Sequence, residues 1–381
     1  MTTGSRNLLK IGILGGGQLG LMLLQAAADY PVETYVLEAG TTPPAASLAH
    51  HFIEGDIKDY DTVYKFGKLV DVLTIEIENV NVEALLQLEK EGLKIYPKPS
   101  VLQTIKDKGL QKMFYQTHDI NTSDFVLTSS LQEILDYTSF LPAAHKLRTG
   151  GYDGKGVCII KSMDDIPDAF DEPSILEKLV DIDKEIAVII ARNDRGEVAV
   201  YPPTEMVFDA RYHLVDYLIS PAAITSEQEK EATEIAKKLV KDFNSSGIFA
   251  IEMFIDKKGK IWVNETAPRT HNSGHQSIEG NHCSQYDMQM RVLQNYPLGS
   301  TEITMPSLML NLIGEPGYEG AVHYEGLEAA KKMEGIYIHL YGKNETRAGR
   351  KMGHITLLGG DRETLIAKAK ILKKMVRVIA Q

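Results

Sequence analysis

Short apolar runs alternate with amphipathic stretches along the first third of the chain. The strand-like runs are residues 10–14, 33–37, 70–77 and 93–96, and the helix-like stretches between them are residues 21–29 and 82–90. Strands that alternate with helices are typical of a parallel sheet covered by helices. The pattern therefore predicts an α/β domain of the doubly wound, Rossmann-like type at the amino terminus.

The remaining chain has two further segments. From about residue 121 to Pro306 the pattern is β-rich, with one clear helix. Ser226 and Glu229 have the spacing of a capping box at the start of that helix, and apolar positions then recur on one face. After Pro306 a hairpin is predicted between residues 336–340 and 354–358, joined by a turn rich in Lys and Arg.

A glycine-rich turn follows the first predicted strand. Gly15-Gly16-Gly17-Gln18-Leu19-Gly20 matches G-x-G-x-x-G, and Glu38 ends the second strand. Amide groups at such a helix start favour a phosphate, and an acidic residue at the end of the second strand is typical of dinucleotide sites. This motif alone leaves an NAD-dependent oxidoreductase open as one alternative. It also occurs in turns that bind other ligands or none.

A second glycine-rich stretch, residues 149–156, lies among Lys146, Arg148 and Lys155. Its backbone can approach phosphates closely, although it lacks the G-K-[ST] ending of a Walker loop. A solvated hairpin remains the alternative. The basic side chains favour phosphate binding.

Two carboxylates are predicted to face each other across a hairpin. If Asp256 pairs with Ile261, Glu252 lies directly opposite Glu265 on the neighbouring strand. Like charges in directly opposite positions repel, so the pair requires a proton or a cation between the two carboxylates. Mg²⁺ bridged to phosphates suits such a pair, and Asn264 adds an oxygen. A register slip of one residue would separate the carboxylates.

Polar loops follow both predicted hairpins. Residues 267–275 are mostly polar and include Arg269, His271 and Asn272, which favours an anion site beside the acidic pair. The turn of the later hairpin also gathers basic side chains, and either a phosphate site or a solvated turn explains them. These basic residues are Lys343, Arg347, Arg350 and Lys351.

Composition narrows the class of protein. The chain has 381 residues, 43% hydrophobic and 24% charged, which is typical of a globular protein of two or three domains. Its net charge of −11 argues against nucleic acid or an anionic membrane as a partner. No apolar run has the length of a membrane span, and two distant cysteines indicate a reducing, cytoplasmic setting.

Taken together, the motifs resemble the N5-carboxyaminoimidazole ribonucleotide synthetase family, the ATP-grasp carboxylases of purine biosynthesis. The matching strings are residues 15–20, 76–79, 148–156, 264–269, 271–275 and 350–354, in the family's order. His271-Asn272-Ser273-Gly274-His275 after Asn264-Glu265-Thr266-Ala267-Pro268-Arg269 is the most specific of them. The formate-dependent glycinamide ribonucleotide transformylases have a similar layout and are the nearest alternative.

The resemblance implies an ATP-grasp fold with three domains. They are a Rossmann-like domain over residues 1–118, an ATP-grasp domain over 119–305 with a mobile lid at about 121–176, and a small carboxyl-terminal domain over 306–381. It implies that ATP, bicarbonate and 5-aminoimidazole ribonucleotide are converted to ADP, phosphate and the N5-carboxylated nucleotide. It also implies Mg²⁺ as cofactor, with Mn²⁺ as an alternative, and a cytoplasmic homodimer.

The resemblance also assigns roles to individual residues. ATP contacts are expected at Lys108, Lys146, Gly151, Tyr152, Asp153, Gly154, Lys155, Gly156, Val157, Glu177, Lys178, Leu179, Val180, Glu185, Asn264 and Glu265. Metal ligands are expected at Glu252 and Glu265, and contacts to the ribonucleotide at Gln18, Leu19, Glu78, Asn272, Lys343, Arg350 and Lys351. Catalytic roles are expected for Asp153, Arg269, His271 and Lys351.

Four positions depart from the family pattern, namely His145, Val157, Phe208 and Thr266. They affect the expected ATP contacts rather than the reaction. A nucleotide-sensing protein without catalysis is the third alternative, and bicarbonate-dependent ATP hydrolysis distinguishes it from a ligase.

Overall fold

The computed structural model describes residues 8–151, 156–209 and 214–381. Its amino-terminal part is the predicted doubly wound domain. Its strands form a parallel sheet in the order β3-β2-β1-β4-β5. The elements are β1 (Leu9–Leu14), β2 (Val32–Glu38), β3 (His51–Glu54), β4 (Val72–Ile75), β5 (Lys94–Tyr96), α1 (Gln18–Ala27), α2 (Tyr60–Gly67), α3 (Val82–Lys90) and α4 (Pro99–Lys106). Alternate residues of β1 enter different cores, with Ile11 and Ile13 on one face and Leu14 on the other.

The first helix begins three residues earlier than the hydrophobic pattern predicts. Gly17 is its extended N-cap residue, and the amide of Leu19 in the first turn donates to the Glu76 carboxylate at 3.1 Å. A carboxylate at a helix start satisfies amides that have no partner within the helix. This long-range contact explains why Gln18 and Leu19 are helical.

A small antiparallel sheet carries the glycine-rich loop of residues 148–156. Its strands lie in the order β6-β9-β7-β8, and the loop joins β7 to β8. The elements are α5 (Lys108–Thr117), β6 (Phe125–Thr128), α6 (Leu131–Ile134), β7 (Ala143–Leu147), β8 (Val157–Ile160) and β9 (Ser174–Lys178). Ile134, Ile160 and Leu176 form the centre of its separate core.

A large antiparallel sheet forms most of the rest of the described framework, beside a separate three-stranded sheet near the carboxyl terminus. Its strand order is β15-β14-β10-β12-β13-β16-β20-β18, with β11 paired to β10. The elements are β10 (Ile182–Arg192), β11 (Val198–Val200), β12 (Thr204–Asp209), β13 (Leu214–Ser220), α7 (Ser226–Phe243), β14 (Gly247–Asp256), β15 (Ile261–Ala267), α8 (Ser277–Gly280) and α9 (Gln285–Leu293). Helix α7 covers one face through Leu239 and Val240, which contact Phe249 and its neighbours in one core.

The carboxyl-terminal hairpin extends this same sheet. Ile336 pairs with Leu357 and Leu340 with Gly353, as the predicted hairpin requires. The elements after residue 305 are β16 (Ser307–Ile313), β17 (Gly320–Glu325), α10 (Leu327–Ala330), β18 (Ile336–Leu340), β19 (Glu345–Thr346), β20 (Lys351–Leu358), α11 (Arg362–Met375) and β21 (Arg377–Ala380). Within the residues described, no helix is both long and apolar enough to cross a bilayer.

The capping box of α7 lies one residue before its predicted position. Thr225 is the N-cap, its hydroxyl accepts from the amide of Gln228 at 3.2 Å, and the Gln228 side chain accepts from the amide of Thr225 at 3.0 Å. The prediction of Ser226 and Glu229 was therefore wrong by one residue. Thr225 and Ser226 both carry a hydroxyl, and Gln228 and Glu229 both carry a side-chain oxygen that can accept. The sequence is therefore consistent with a capping box that starts at either residue.

We expect Thr225→Ala to lower the free energy of unfolding by about 1 kcal/mol, because it removes the acceptor of a first-turn amide. Ser226→Ala is the matched control, and we expect it to change stability by less than about 0.5 kcal/mol. Urea denaturation of both variants measures the difference. Equal losses would contradict the assigned cap.

Candidate active site

The two predicted carboxylates face each other across β14 and β15. Glu252 pairs with Glu265, which confirms the predicted opposition. The register near the turn differs from the prediction, because Ile255 rather than Asp256 pairs with Ile261. Met253 pairs with Val263 and Glu252 with Glu265, so Asn264 forms a bulge on β15. This extra residue restores the predicted opposition of the two glutamates.

The bulge is what brings these side chains together. Without it, Glu252 would lie opposite Asn264, and Glu265 would point to the other face of the sheet. With it, both Asn264 and Glu265 reach lysines of the same site. Asn264 accepts from Lys146 at 3.0 Å, and Glu265 contacts the ammonium of Lys108.

Charges around the pair shift the two carboxyl groups in opposite directions. The Lys108 ammonium holds the pKa of Glu265 well below its usual range. Burial raises the pKa of Glu252, and repulsion from Glu265 and Glu185 adds to that shift. Lys351 also acts on Glu252, so the carboxyl-terminal turn reaches the acidic pair. A site that opposes two carboxylates in this way favours a bound cation.

His271 lies beside Glu252 of the acidic pair. Its Nδ1 accepts from the Ser273 amide at 3.3 Å and lies 2.9 Å from the Ser273 hydroxyl. Because an amide only donates, Nδ1 is the acceptor and the proton of a neutral imidazole is on Nε2. That Nε2 lies 3.7 Å from a Glu252 oxygen. The ring thus presents an N–H to the site.

Glu177 is the centre of a buried network that joins the small sheet to α5. Its carboxylate lies 3.2 Å from the Lys146 ammonium and 3.3 Å from that of Lys112, and it accepts from the Ser123 hydroxyl at 3.0 Å. Burial alone would raise its pKa, but the two lysines outweigh that effect and lower it. Lys146 is therefore held between Glu177 and Asn264.

Lys112 is a site residue that the sequence analysis missed. Its side chain is 3% exposed, donates to Thr122 at 2.6 Å, and has a pKa lowered by burial to about 8. In the sequence it is one of two lysines of the amphipathic helix α5. Only its contact with Glu177, which lies far along the chain, distinguishes it as a residue of the site.

We expect Lys112→Met to lower the free energy of unfolding by about 3 kcal/mol, because it leaves a buried carboxylate short of a partner. The double variant Lys112→Met with Glu177→Gln should lose less than the sum of the single variants. Urea denaturation of the four proteins measures this coupling. Strictly additive losses would contradict a direct interaction between Lys112 and Glu177.

Four further residues predicted to contact ATP lie on β9, on β10 and in the connection between these strands. Glu185 lies two residues before Ala187, which pairs with Glu252, and burial raises its pKa to about 7. Lys178 ends β9 and lies 3.1 Å from Asp124, and the following Leu179 is exposed. Val180 follows in the connection to β10.

Part of the predicted lid loop lies outside the described residues. Tyr152, Asp153, Gly154 and Lys155 belong to that part, so their expected roles stay predictions. The loop is closed at its base, where the amide of Leu147 donates to the carbonyl of Gly156 at 2.9 Å. Gly151 precedes the undescribed residues, and Val157 begins β8 opposite Lys146.

The glycine-rich turn after β1 is closed by the chain's own carboxylates. The Gly16 amide donates to Glu38 at 2.9 Å, and Glu76 accepts from Leu19. A Cβ at Gly17 would lie 2.5 Å from a Glu76 oxygen, so glycine is required there for close approach. Two carboxylates against these amides repel a pyrophosphate, which argues against the dinucleotide alternative.

The predicted ribonucleotide contacts come from three parts of the chain. The Lys343 ammonium donates to the Gln18 side chain at 2.8 Å and to the Lys351 carbonyl at 2.7 Å. The Arg269 guanidinium lies 2.9 Å from Glu78. Arg350 instead donates to the carbonyl of Glu345 at 2.7 Å and is more peripheral.

Asn272 lies on the short 3₁₀ turn Asn272–Gly274, and both polar atoms of its amide are buried without a hydrogen-bond partner in the structure. Buried amides are normally paired, so such a group points to a ligand. The turn is anchored by Gln285, whose side chain accepts from the His271 amide at 2.9 Å and donates to the His271 carbonyl at 2.7 Å. Gln285 is a second supporting residue that sequence reasoning missed, because α9 begins ten residues after the motif.

Three family models match successive parts of the chain. Family models match residues 8–106 as a ribonucleotide synthetase preATP-grasp domain and residues 113–286 as an ATP-grasp domain. Residues 307–368 match a phosphoribosylaminoimidazole carboxylase C-terminal domain.

Several relatives match nearly the whole chain. The N5-carboxyaminoimidazole ribonucleotide synthase of Brucella melitensis is 35% identical over 91% of this chain and 95% of its own length. The synthetase structure from Thermotoga maritima has a TM-score of 0.91 and 41% identity, covering 98% of this chain and 100% of that one.

A synthase structure from Aspergillus clavatus, in complex with ADP and 5-aminoimidazole ribonucleotide, has a TM-score of 0.89 and 32% identity, covering 97% of this chain and 98% of that one. The chain spans about two thirds of the length of longer plant and yeast relatives named phosphoribosylaminoimidazole carboxylase. By sequence and by fold, the chain belongs to the N5-carboxyaminoimidazole ribonucleotide synthase family of ATP-grasp enzymes.

Proposed function

We propose that this chain uses ATP to carboxylate 5-aminoimidazole ribonucleotide with bicarbonate, giving ADP, phosphate and N5-carboxyaminoimidazole ribonucleotide in purine biosynthesis. The observation that carries the proposal is the acidic pair Glu252 and Glu265, which face each other across two strands with basic groups nearby. Lys108 contacts Glu265, Lys146 contacts the neighbouring Asn264, and His271 lies 3.7 Å from Glu252. The Aspergillus relative, whose structure holds ADP and the ribonucleotide, supports both as ligands.

The nucleotide half of the site is assigned to the cleft between the small and large sheets. Lys108 and Lys146 are proposed to contact the ATP phosphates, with residues 151–157 as the loop above them. Residues 177–180 are proposed to contact the adenine, and Glu185 the ribose. Glu177 fixes Lys146 through a direct ion pair, so the lysine is oriented before ATP arrives.

The acidic pair fits Mg²⁺, with Mn²⁺ as an alternative. Two facing carboxylates and the Asn264 oxygen are the kinds of ligand that hard divalent cations take. Within residues 8–151, 156–209 and 214–381 no group of three or more His, Cys, Asp and Glu residues is arranged to hold a metal. We therefore expect ATP oxygens and water to supply the other ligands. When bound, the ion would neutralise charge that develops on the transferred phosphoryl group.

The second half of the site is assigned to bicarbonate and the ribonucleotide. Arg269 offers a planar fork of donors for bicarbonate and its phosphorylated form, and the Nε2–H of His271 faces the same region. Gln18, Leu19, Glu78, Asn272, Lys343 and Arg350 are proposed to bind the ribonucleotide. Lys351 and Asp153 are proposed to position its amine for the final step.

The proposed order of steps follows from these positions. Bicarbonate attacks the γ-phosphorus of ATP, so that ADP leaves and carboxyphosphate forms. The bond between the carboxyl carbon and the bridging oxygen then breaks, so that phosphate leaves with that oxygen and the carboxyl carbon is released in place as CO₂. The substrate amine forms the new C–N bond to this carbon and gives up a proton. Carboxyphosphate would decompose quickly in water, so closure of the loop at 149–156 should precede its formation. We further propose that the enzyme acts as a homodimer in the cytoplasm.

The test is to follow ADP release by the purified chain with ATP and Mg²⁺. Release should require both bicarbonate and 5-aminoimidazole ribonucleotide for full rate. Glycinamide ribonucleotide with formate serves as the control for the related transformylase reaction. ADP release that needs formate, or ATP binding without hydrolysis, would overturn the proposed reaction.

A further inference from the structure

A cavity of about 340 Å³ lies at the junction of the amino-terminal domain and the large sheet, away from the acidic pair. The first domain contributes Lys94, Tyr96 and Lys98 to its wall, and the second contributes Arg192 and Asp194. Arg192 ends β10, seven residues beyond Glu185, which corresponds to roughly 23 Å along a strand. A volume of this size is at the lower end of small-molecule sites.

One carboxylate of the cavity, that of Asp194, is already neutralised. It accepts from the Tyr96 hydroxyl through a short hydrogen bond and from the Ser246 hydroxyl at 2.7 Å, and it lies 3.7 Å from the Lys94 ammonium. Burial alone would raise its pKa, but these partners outweigh burial and lower it. Asp194 therefore links the two domains and has little remaining capacity to neutralise another cation.

Two cations of the wall lack a carboxylate partner among the described residues. Arg192 forms no ion pair there, and its Nη1 is buried without a hydrogen-bond partner. Lys98 likewise forms no ion pair in the described parts of the chain, and its backbone amide is held by Ser245 at 2.9 Å. Glu89 is the other carboxylate of the wall, so three cations face two carboxylates. With Asp194 already neutralised, this excess of positive charge in the wall points to an anion.

We propose that this cavity binds a small phosphomonoester anion that bridges the two domains. A guanidinium fork matches two oxygens of a phosphate, and a lysine adds a point charge, so Arg192 and Lys98 together suit one phosphate group. The cavity has room beyond that group for a small polar body, for which Asn193, Asn244 and Ser246 offer hydrogen-bonding side chains. The site is separate from the proposed ATP and ribonucleotide sites.

The test is calorimetric titration of the full chain with ribose 5-phosphate as the probe. Saturating ADP, Mg²⁺ and 5-aminoimidazole ribonucleotide are present throughout, so that phosphate sites of the active site are filled. We expect one equivalent to bind, and Arg192→Gln and Lys98→Gln each to weaken binding at least about tenfold, the effect of losing a charged hydrogen bond. Arg195→Gln is the matched control, because it removes the same charge three residues further along the chain, outside the cavity.

Equal affinity in Arg192→Gln and Arg195→Gln, or no binding to the wild type, would overturn the site. Inorganic phosphate is titrated in parallel and should bind more weakly than ribose 5-phosphate. Equal affinity for the two would overturn the phosphomonoester and leave free phosphate as the occupant. ADP release is measured for each variant, and because the proposed reaction does not use this cavity, unchanged release with weakened binding separates the two proposals.

Discussion

Glu265→Ala should lower the rate of ADP formation by about a thousandfold or more, because the site would lose one of its two proposed Mg²⁺ ligands. The same substitution removes the Glu265 contact of the Lys108 ammonium but keeps the lysine itself, which is proposed to contact the ATP phosphates. ATP binding should therefore persist. The measurement is ADP release with saturating ATP, bicarbonate and ribonucleotide at several Mg²⁺ concentrations. A right-shifted Mg²⁺ dependence is the specific expectation.

Glu234→Gln serves as the control for that experiment, since Glu234 is an exposed residue of α7 whose recorded partner is Lys237. Glu252→Gln should behave like Glu265→Ala if the two carboxylates act on one ion. Undiminished ADP formation in Glu265→Ala, with an unchanged Mg²⁺ dependence, would rule out the metal role. A loss confined to one of the two acidic variants would contradict a shared ion.

Arg269→Met should lower bicarbonate-dependent ADP formation by about a hundredfold or more, the cost of removing a donor that stabilises developing negative charge. The guanidinium lies 2.9 Å from Glu78, so the variant also leaves that carboxylate uncompensated at the ribonucleotide side. Initial rates at varied bicarbonate concentration measure the effect. We expect both a lower kcat and a higher KM for bicarbonate.

Arg269→Lys is the informative control, because it keeps the charge and loses the planar fork. It should recover a small part of the rate only, if two oxygens of one anion are held together. Full recovery by lysine would show that charge alone matters. An unchanged KM for bicarbonate in Arg269→Met would contradict the assigned ligand.

Much of the fold follows from local pattern. Much of the amino-terminal domain could be predicted because strands such as β1 and β4 are apolar runs and helices such as α3 have an apolar face. Strand β3 and helix α2 were not predicted, because β3 has only two apolar residues between a histidine and a glutamate. The junction of the carboxyl-terminal hairpin with the large sheet could not, because its pattern predicts a hairpin but not the edge on which it pairs. That choice depends on β16, whose partner β13 lies almost a hundred residues earlier.

The candidate site could likewise be predicted only in part. The facing of Glu252 and Glu265 was predicted correctly from a register that is wrong at the turn, and a bulge at Asn264 reconciles the two. Neither glycine nor proline marks that bulge in the sequence. Lys112 was missed for another reason, since its burial depends on Ser123 and Glu177 rather than on its own neighbours.

The large sheet makes one rigid platform of what the family models divide into two domains. β15 carries Glu265 at one end of the strand order, and β20, which begins at Lys351, lies near the other. Because backbone hydrogen bonds connect every strand between them, the spacing of Glu265 and Lys351 along the sheet is set when the chain folds. In the proposed reaction, the motion that seals the reactants from water would then come from the four-stranded sheet, and a truncation after residue 305 would expose the edge of β13 to self-association.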